Sequence, residues 1–259
     1  MRLRAVALFV VIVLPALCYC HAQTSGKPAR ARTGPEYEDY NKAYAISGGP
    51  AMENAANEFA TKYPDSVLRA YLYSKAMRNY QNENNSGKML AMGEKVLALE
   101  PHNVVALVLT ATVLSDNLSD NDADRTQKIE EIRANVSNAI KFVDEFTPPT
   151  NPTPEQLASY RNTLQSMAHS ALGITDLKLG EDAEAEKELV LAAKLNAPLS
   201  DPYLWYHLAL AQDHQKKYKE GLASVEEALR QVSSNPDLAK LAASERERLL
   251  KLTQAQVTK

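Results

Sequence analysis

The stretch WYHLALAQDHQKKYKEGLASVEEAL, residues 205–229, contains two amphipathic helical segments joined by a short polar turn. A related stretch, HSALGITDLKLGEDAEAEKELVLAA, residues 169–193, lies 36 residues earlier in the chain. The recurring positions are small or apolar, and they pair Leu172 with Leu208, Gly173 with Ala209, Ala185 with Gly221, Leu189 with Val225, and Ala192 with Ala228. Small residues let two antiparallel helices approach closely, and the larger apolar residues fill the space around the crossing. The sequence therefore predicts repeated helical hairpins.

The first half of the chain shows where such hairpins end. One predicted helix closes at Tyr63-Pro64-Asp65-Ser66 and another at Glu100-Pro101, and each proline is followed by a new apolar helical pattern. Proline ends one helix and turns the chain into the next. No segment alternates convincingly with a period of two, so we expect essentially no sheet.

We therefore predict an all-α fold, an α-solenoid of stacked antiparallel helix hairpins over residues 36–256. The predicted hairpins cover about 36–64, 65–101, 102–147, 153–198 and 201–235, and a C-terminal capping helix covers 236–256.

Helix start signals support these boundaries. Thr153-Pro154-Glu155-Gln156 combines an N-cap threonine, a proline at the first helical position and a glutamine that returns to the cap. Asp201-Pro202 and Asn235-Pro236 repeat the cap-then-proline arrangement. In the last helix the spacing places four leucines on one apolar face, namely Leu238, Leu241, Leu249 and Leu252.

The repeat pattern resembles the tetratricopeptide repeat (TPR), whose outline is an aromatic, Leu-Gly, Tyr, Ala, an aromatic and Pro. The matching positions of the best copy are Trp205, Leu208 and Ala209 in the first helix, and Gly221, Val225 and Ala228 in the second. Gln212 and Asp176 stand where the family usually has Tyr. The resemblance implies a right-handed solenoid whose first helices line a concave surface that binds a protein or peptide.

A second, narrower resemblance concerns the cellular compartment. The ending Tyr63-Pro64-Asp65-Ser66 is similar to that of repeat proteins of the bacterial cell envelope, although the likeness covers one hairpin only. It points to an exported, envelope-type member of the TPR family.

The N-terminal residues have the zones of a secretory signal peptide. Two arginines, Arg2 and Arg4, precede an apolar stretch from Ala5 to Leu14, and a short tail ends at Ala22. The apolar stretch is about half as long as a membrane-spanning helix requires. We expect cleavage after residue 22, no stable membrane span afterwards, and a periplasmic or extracellular location.

The two cysteines of the chain lie inside this signal. Cys18 follows Leu17 and Cys20 follows Tyr19, whereas lipoprotein signals carry a small residue there, so we do not expect lipid anchoring. The mature chain would contain no cysteine and hence no disulfide. Residues 23–35 are rich in glycine, proline and polar residues, and we expect a disordered leader.

Charge and motifs exclude several function classes. Without the signal, 27 basic residues face 32 acidic ones, a mildly acidic balance that gives no electrostatic footprint for nucleic acid. None of the five histidines belongs to a zinc-protease motif, none of the nine glycines forms a phosphate loop, and no Gly-x-Ser-x-Gly elbow occurs. We therefore predict no catalytic residues and no cofactor.

Two sets of residues on predicted first helices have the spacing of one helix face. Tyrosine and arginine are common anchors in protein interfaces, which makes these sets candidates for a partner groove. Core packing is the alternative for the tyrosines. The candidates are Tyr71, Lys75 and Arg78 in the second hairpin, and Tyr206, Leu210 and Asp213 in the fifth.

An acidic segment matches part of a calcium loop. Asp120, Asp122, Asp124 and Glu131 occupy positions 1, 3, 5 and 12, but Arg125 replaces the glycine that the tight turn requires. The alternative is a solvated loop in which Asp124 caps the helix that begins near Arg125.

The sequence as a whole favours a non-catalytic protein-interaction scaffold that binds a peptide or helix. The alternative is a hydrolytic or carbohydrate-active enzyme on a helical solenoid, which would require paired carboxylates in a cleft. Partner identity does not follow from the sequence.

Overall fold

The computed structural model describes residues 30–148, 152–195, 201–232 and 235–257, so the predicted signal peptide lies outside the described residues. Within these ranges the regular structure is helical and contains no strand. In chain order the helices are α1 Gly34–Tyr44, α2 Gly49–Lys62, α3 Arg69–Asn82, α4 Ser86–Leu99, α5 Val104–Asn117, α6 Arg125–Phe142, α7 Pro154–Leu179, α8 Asp182–Leu195, α9 Pro202–His214, α10 Tyr218–Gln231 and α11 Pro236–Val257. A short 3-10 helix, Val143–Glu145, follows α6.

The helices pack in consecutive pairs. α1 packs on α2, α3 on α4, α5 on α6, α7 on α8, and α9 on α10. Each second helix also packs against the first helix that follows it, and α10 packs against α11 in the same way. This arrangement confirms the predicted all-α solenoid of stacked hairpins.

The predicted helix starts are formed by the predicted caps. The Thr153 hydroxyl accepts a hydrogen bond from the Gln156 amide at 3.3 Å, and the Gln156 side chain accepts one from the Thr153 amide at 3.0 Å. Asp201 accepts from the Tyr203 amide at 2.9 Å, and Asn235 accepts from the Leu238 amide at 3.1 Å. These bonds satisfy amides that the first helical turn leaves without a partner.

Small residues stand where the paired helices cross. A Cβ atom on Gly173 would lie 2.7 Å from Leu189 Cγ and 3.1 Å from the Ala185 carbonyl oxygen. A Cβ atom on Gly221 would lie 3.3 Å from the Ala209 carbonyl oxygen. The close approach that the repeated small positions predicted is therefore confirmed in the last two hairpins.

The core runs along the solenoid and ends under α11. Leu238, Ala242 and Leu249 of α11 are fully buried, whereas Leu241, on the predicted apolar face, is 44% exposed. The buried positions form one stripe at intervals of four and seven residues, and Leu241 falls at its edge. Among the described residues, no helix has both the length and the apolar character that crossing a bilayer requires.

We predict that Gly173→Val destabilises the fold by about 1–3 kcal/mol, the usual range for an overpacked core. The reason is that the new side chain would meet Leu189, which is fully buried. The free energy of urea unfolding measures the effect. Gly87→Val is the matched control, because a Cβ at that position meets nothing within 4 Å. Equal stability of the two variants would contradict the close crossing.

Candidate partner-binding surface

Most of the first helices contact the first helix of the next hairpin. α1 contacts α3, α5 packs along α7, α7 touches α9, and α9 touches α11, whereas consecutive second helices show no comparable contact in the described ranges. In a curved stack of hairpins, the layer whose helices approach one another faces the concave side. We call the partly exposed side chains of this layer the first-helix surface, and they include Lys75, Arg78, Asp116, Lys178, Tyr203, His207 and Leu210.

The three candidates on α3 have different surroundings. Tyr71 is 2% exposed, and its ring packs edge-on against Tyr40 at 6.4 Å between centroids. The Lys75 ammonium donates a hydrogen bond to the Tyr44 carbonyl oxygen and lies 4.4 Å from the centre of the Tyr44 ring. Arg78 is partly exposed. Tyr71 thus occupies the core position that was the alternative for the tyrosines, and Arg78 remains available to a partner.

The three candidates on α9 also differ in their surroundings. Asp213 is 8% exposed and forms an ion pair with Arg248 of α11. Tyr206 is partly exposed, its ring lies 5.8 Å from that of His207, and burial raises the pKa of its hydroxyl. Leu210 is partly exposed on the first-helix surface. Asp213 therefore ties α9 to the last helix, while the partner role of Leu210 and Tyr206 stays a prediction.

A polar cluster that the sequence did not reveal lies near the end of α7, between the end of α5 and the start of α9. The Lys178 ammonium of α7 donates hydrogen bonds to the carbonyl oxygens of Ser115 and Asp116, both at 2.7 Å, at the end of α5. The charges of Lys178 and of Asp201, which caps α9, act on the Asp116 carboxyl. We call Asp116, Lys178, Asp201 and His207 the junction cluster.

The second turn of α9 completes this cluster. The Nδ1 atom of His207 lies 2.9 Å from the Tyr203 carbonyl oxygen, which requires a proton on that nitrogen, and the two rings stack with centroids 6.2 Å apart. The Tyr203 hydroxyl accepts a hydrogen bond from the Asn235 side chain at 3.1 Å, at the start of α11. The junction cluster is thereby linked to the last helix.

Burial controls the protonation of the junction cluster. It raises the pKa of Asp116 to about 7, against the attraction of Lys178, and it raises the pKa of Asp201 to about 6, against the hydrogen bond from the Tyr203 amide. It lowers the pKa of His207 to about 4, so this imidazole is neutral at pH 7, and it lowers the pKa of the Lys178 ammonium. A dense surrounding of protein favours the neutral form of each group.

One sequence signal could have indicated the cluster. Residues 104–114 of α5 are apolar apart from two threonines, and a carboxylate follows them at Asp116. Because a helix that is apolar on all sides is buried, a carboxylate at its end is a candidate for partial burial. Its partners could not be named from the sequence, because Lys178 and Asp201 belong to other hairpins.

The acidic side chains considered as a calcium site form ion pairs with basic side chains that lie nearby in the sequence. Asp120 pairs with Arg125 at 3.1 Å, and Lys128 pairs with Asp122 at 3.1 Å and with Asp124 at 2.9 Å. In the described part of the chain, no three or more histidine, cysteine or acidic side chains are grouped as a metal would require. The predicted cap was wrong in one respect, since α6 begins after Asp124 without a hydrogen bond from its side chain.

Comparisons with known proteins identify the fold. No protein-family model and no curated protein sequence matches the chain. Among solved structures, TTC0263, a thermophilic TPR protein of Thermus thermophilus, aligns with a TM-score of 0.50 and 17% sequence identity, over 81% of this chain and 98% of that one. The fold is TPR-like. The MamA RS-1 ArsTM double mutant aligns with a TM-score of 0.42 and 15% identity, over 73% of this chain and 97% of that one.

We predict that millimolar calcium leaves the melting temperature of the full chain unchanged relative to a chelator-treated sample. The acidic segment would have to release Arg125 and Lys128 before its carboxylates could converge on a cation. Differential scanning calorimetry measures this, with magnesium as the control cation. A calcium-specific rise in melting temperature that Asp122→Asn abolishes would establish a site after all.

Proposed function

We propose that this protein is a non-catalytic interaction scaffold of the cell envelope or secreted space, and that it holds a peptide or helix of a partner protein on the first-helix surface. The TPR-like fold supports the scaffold part, since stacked hairpins generate an extended concave face suited to binding. The envelope location is inferred from the N-terminal signal pattern and from the Tyr63-Pro64-Asp65-Ser66 ending.

The observation that carries the proposal is the chemical variety of the first-helix surface. It presents a guanidinium at Arg78, an aliphatic side chain at Leu210 and aromatic rings at Tyr203 and His207, all partly exposed. Mixed aromatic, aliphatic and arginine side chains of this kind supply most binding energy in protein interfaces. An extended segment or an amphipathic helix fits a surface built from parallel ridges.

The enzyme alternative would use carboxyls with a raised pKa, as acid–base catalysis does. Burial raises the pKa of Asp116 to about 7 and those of Asp176 and Asp201 to about 6. Each has a structural explanation, since Asp201 caps α9, Asp176 forms an ion pair with Arg133 at 3.1 Å, and Asp116 lies beside an ammonium that is engaged with backbone carbonyls. We therefore favour binding over catalysis.

For the location, we predict that the chain isolated from its own cells begins at Gln23 and is found outside the cytoplasm. The charged and apolar zones before that residue have the order that a signal peptidase substrate requires. Intact-mass spectrometry of fractionated cells measures both the first residue of the chain and its location. Val11→Arg, in the apolar zone, should leave the uncleaved chain inside, whereas Val67→Arg, a matched change at a residue 52% exposed, should not. An uncleaved, cytoplasmic parent chain would refute export.

For the binding surface, we predict that Arg78→Ala combined with Leu210→Ala weakens partner binding about tenfold or more, the effect of losing interface anchors. The measurement is affinity capture from envelope extract, followed by titration of the recovered partner. Leu191→Ala combined with Arg230→Ala is the matched control, since it removes the same residue types from α8 and α10, with the Leu191 residue 38% and the Arg230 side chain 71% exposed.

The two variants separate the possible results. Loss of binding in the first variant alone, with circular dichroism unchanged, supports the first-helix surface. Loss in the second variant alone places the partner on the second helices and overturns the proposed surface. A parent chain that captures no partner counts against the scaffold itself.

A further inference from the structure

The boundary between the second hairpin, α3 and α4, and the third, α5 and α6, is held differently from the others. Consecutive first helices contact each other at every other boundary, whereas α3 and α5 meet less than any of those pairs. The two hairpins are joined mainly by α4, which packs on α5. We call this place the α4–α5 boundary.

In the first and fourth hairpins, a glutamate at the fifth position of the second helix binds the next hairpin. Glu53 of α2 accepts a hydrogen bond from the Tyr80 hydroxyl at 2.6 Å and pairs with Lys88 at 3.0 Å. Glu186 of α8 accepts one from the Gln215 side chain at 2.9 Å. Bonds to a charged carboxylate are directional, so they fix the orientation of one hairpin on the next.

The third and fifth hairpins use ion pairs for the same purpose. Arg133 of α6 pairs with Asp176 of α7 at 3.1 Å and with Glu181, just before α8, at 3.0 Å. Glu226, the ninth residue of α10, pairs with Arg246 of α11 at 3.0 Å. The second helix of each of these four hairpins therefore has a polar tie to the element that follows.

The second helix of the second hairpin, α4, has no such tie. Its fifth residue is Leu90, and its basic side chains bind backwards to α2, where Lys88 pairs with Glu53 and Lys95 donates to the Asn57 side chain at 2.8 Å. Over the described residues, no hydrogen bond or ion pair joins α4 to α5 or α6. The contact across the α4–α5 boundary is therefore apolar.

The charged groups that do act on each other across this boundary are both acidic. Glu94, the ninth residue of α4, acts on Glu131 of α6, and burial together with this negative charge raises the pKa of Glu131. A like charge disfavours the ionised form of its neighbour. At the same place in α10, Glu226 meets the base Arg246. An acid thus occupies the position where the last boundary has a cation.

The apolar side chains at the α4–α5 boundary can adapt to movement. Three of them are methionines, Met77, Met89 and Met92, each 1% exposed, and they belong to the same core as Ala106 and Leu109 of α5. Methionine is unbranched and fills irregular gaps, so it repacks more readily than a branched side chain. α4 can therefore roll over α5 without breaking a polar bond.

We propose that the α4–α5 boundary is a hinge, about which the first two hairpins turn as one body against the last three hairpins and α11. The polar ties described above keep each body together. Because Arg78 lies on the first body and Leu210 on the second, the turn changes the distance between these two groups of the first-helix surface. The hinge needs no bound partner and does not depend on the proposed function.

Distances between spin labels test the hinge in the full chain, with Cys18→Ser and Cys20→Ser so that only introduced cysteines react. One label pair, Glu58→Cys with Glu130→Cys, extends from the first hairpin to the third and includes the hinge. The matched pair, Glu130→Cys with Ala223→Cys, extends from the third hairpin to the fifth and excludes it. The three labelled positions are exposed.

The expected effect follows from the geometry of stacked helices. A turn of about 15°, as in rigid-body subunit rotations, acts over the roughly 20 Å that two helix spacings cover and moves a label by about 5 Å. We expect double electron–electron resonance to give a distance distribution that is wider by about this amount for the first pair than for the second. Equal widths overturn the hinge.

A variant that supplies the missing tie should lock the hinge. Glu131→Lys places a cation opposite Glu94, as Arg246 lies opposite Glu226, and should narrow the first distribution to the width of the second. Glu38→Lys, the same change at an exposed residue of α1, should leave both widths as they are. A first distribution that stays wide in Glu131→Lys overturns the role of the two acids. The comparison of label pairs in the parent decides the hinge even if Glu131→Lys fails to fold.

Discussion

Two helices of a hairpin can cross closely only where one of them carries a small residue, and this steric requirement governs the whole stack. At Gly173 the backbone of α7 lies so near to α8 that a single added methyl group would overlap Leu189. The equivalent crossing brings Gly221 of α10 against the Ala209 carbonyl oxygen of α9. Because each hairpin buries one side in this crossing and another side against the next hairpin, no hairpin covers its apolar surface alone.

The close crossings also limit where polar groups can go. The sides of a first helix that face its partner and the neighbouring hairpins must be apolar or small, and one side remains for polar side chains. In α5 even that side is mostly apolar, so its carboxylate appears only at the end, at Asp116. The junction cluster forms there because Lys178 and the capped start of α9 reach the same place.

The predicted groove residues show what helical spacing alone can and cannot predict. Tyr71, Lys75 and Arg78 share one face by spacing, yet α1 covers Tyr71 and binds Lys75, leaving Arg78 partly exposed. Asp213 has the same spacing from Tyr206 and is buried by its ion pair with α11. Spacing states which residues share a face, but a neighbouring helix decides how much of that face stays accessible to a partner.

The helices, the caps at Thr153, Asp201 and Asn235, and the small residues at the crossings could all be predicted from the chain alone, because propensity, capping and periodicity act within a few residues. The exposure of Leu241, the burial of Tyr71 and the protonation of Asp116 could not. Those properties depend on burial and on charges that packing brings from other hairpins, and a pKa responds to the surrounding protein rather than to the local sequence.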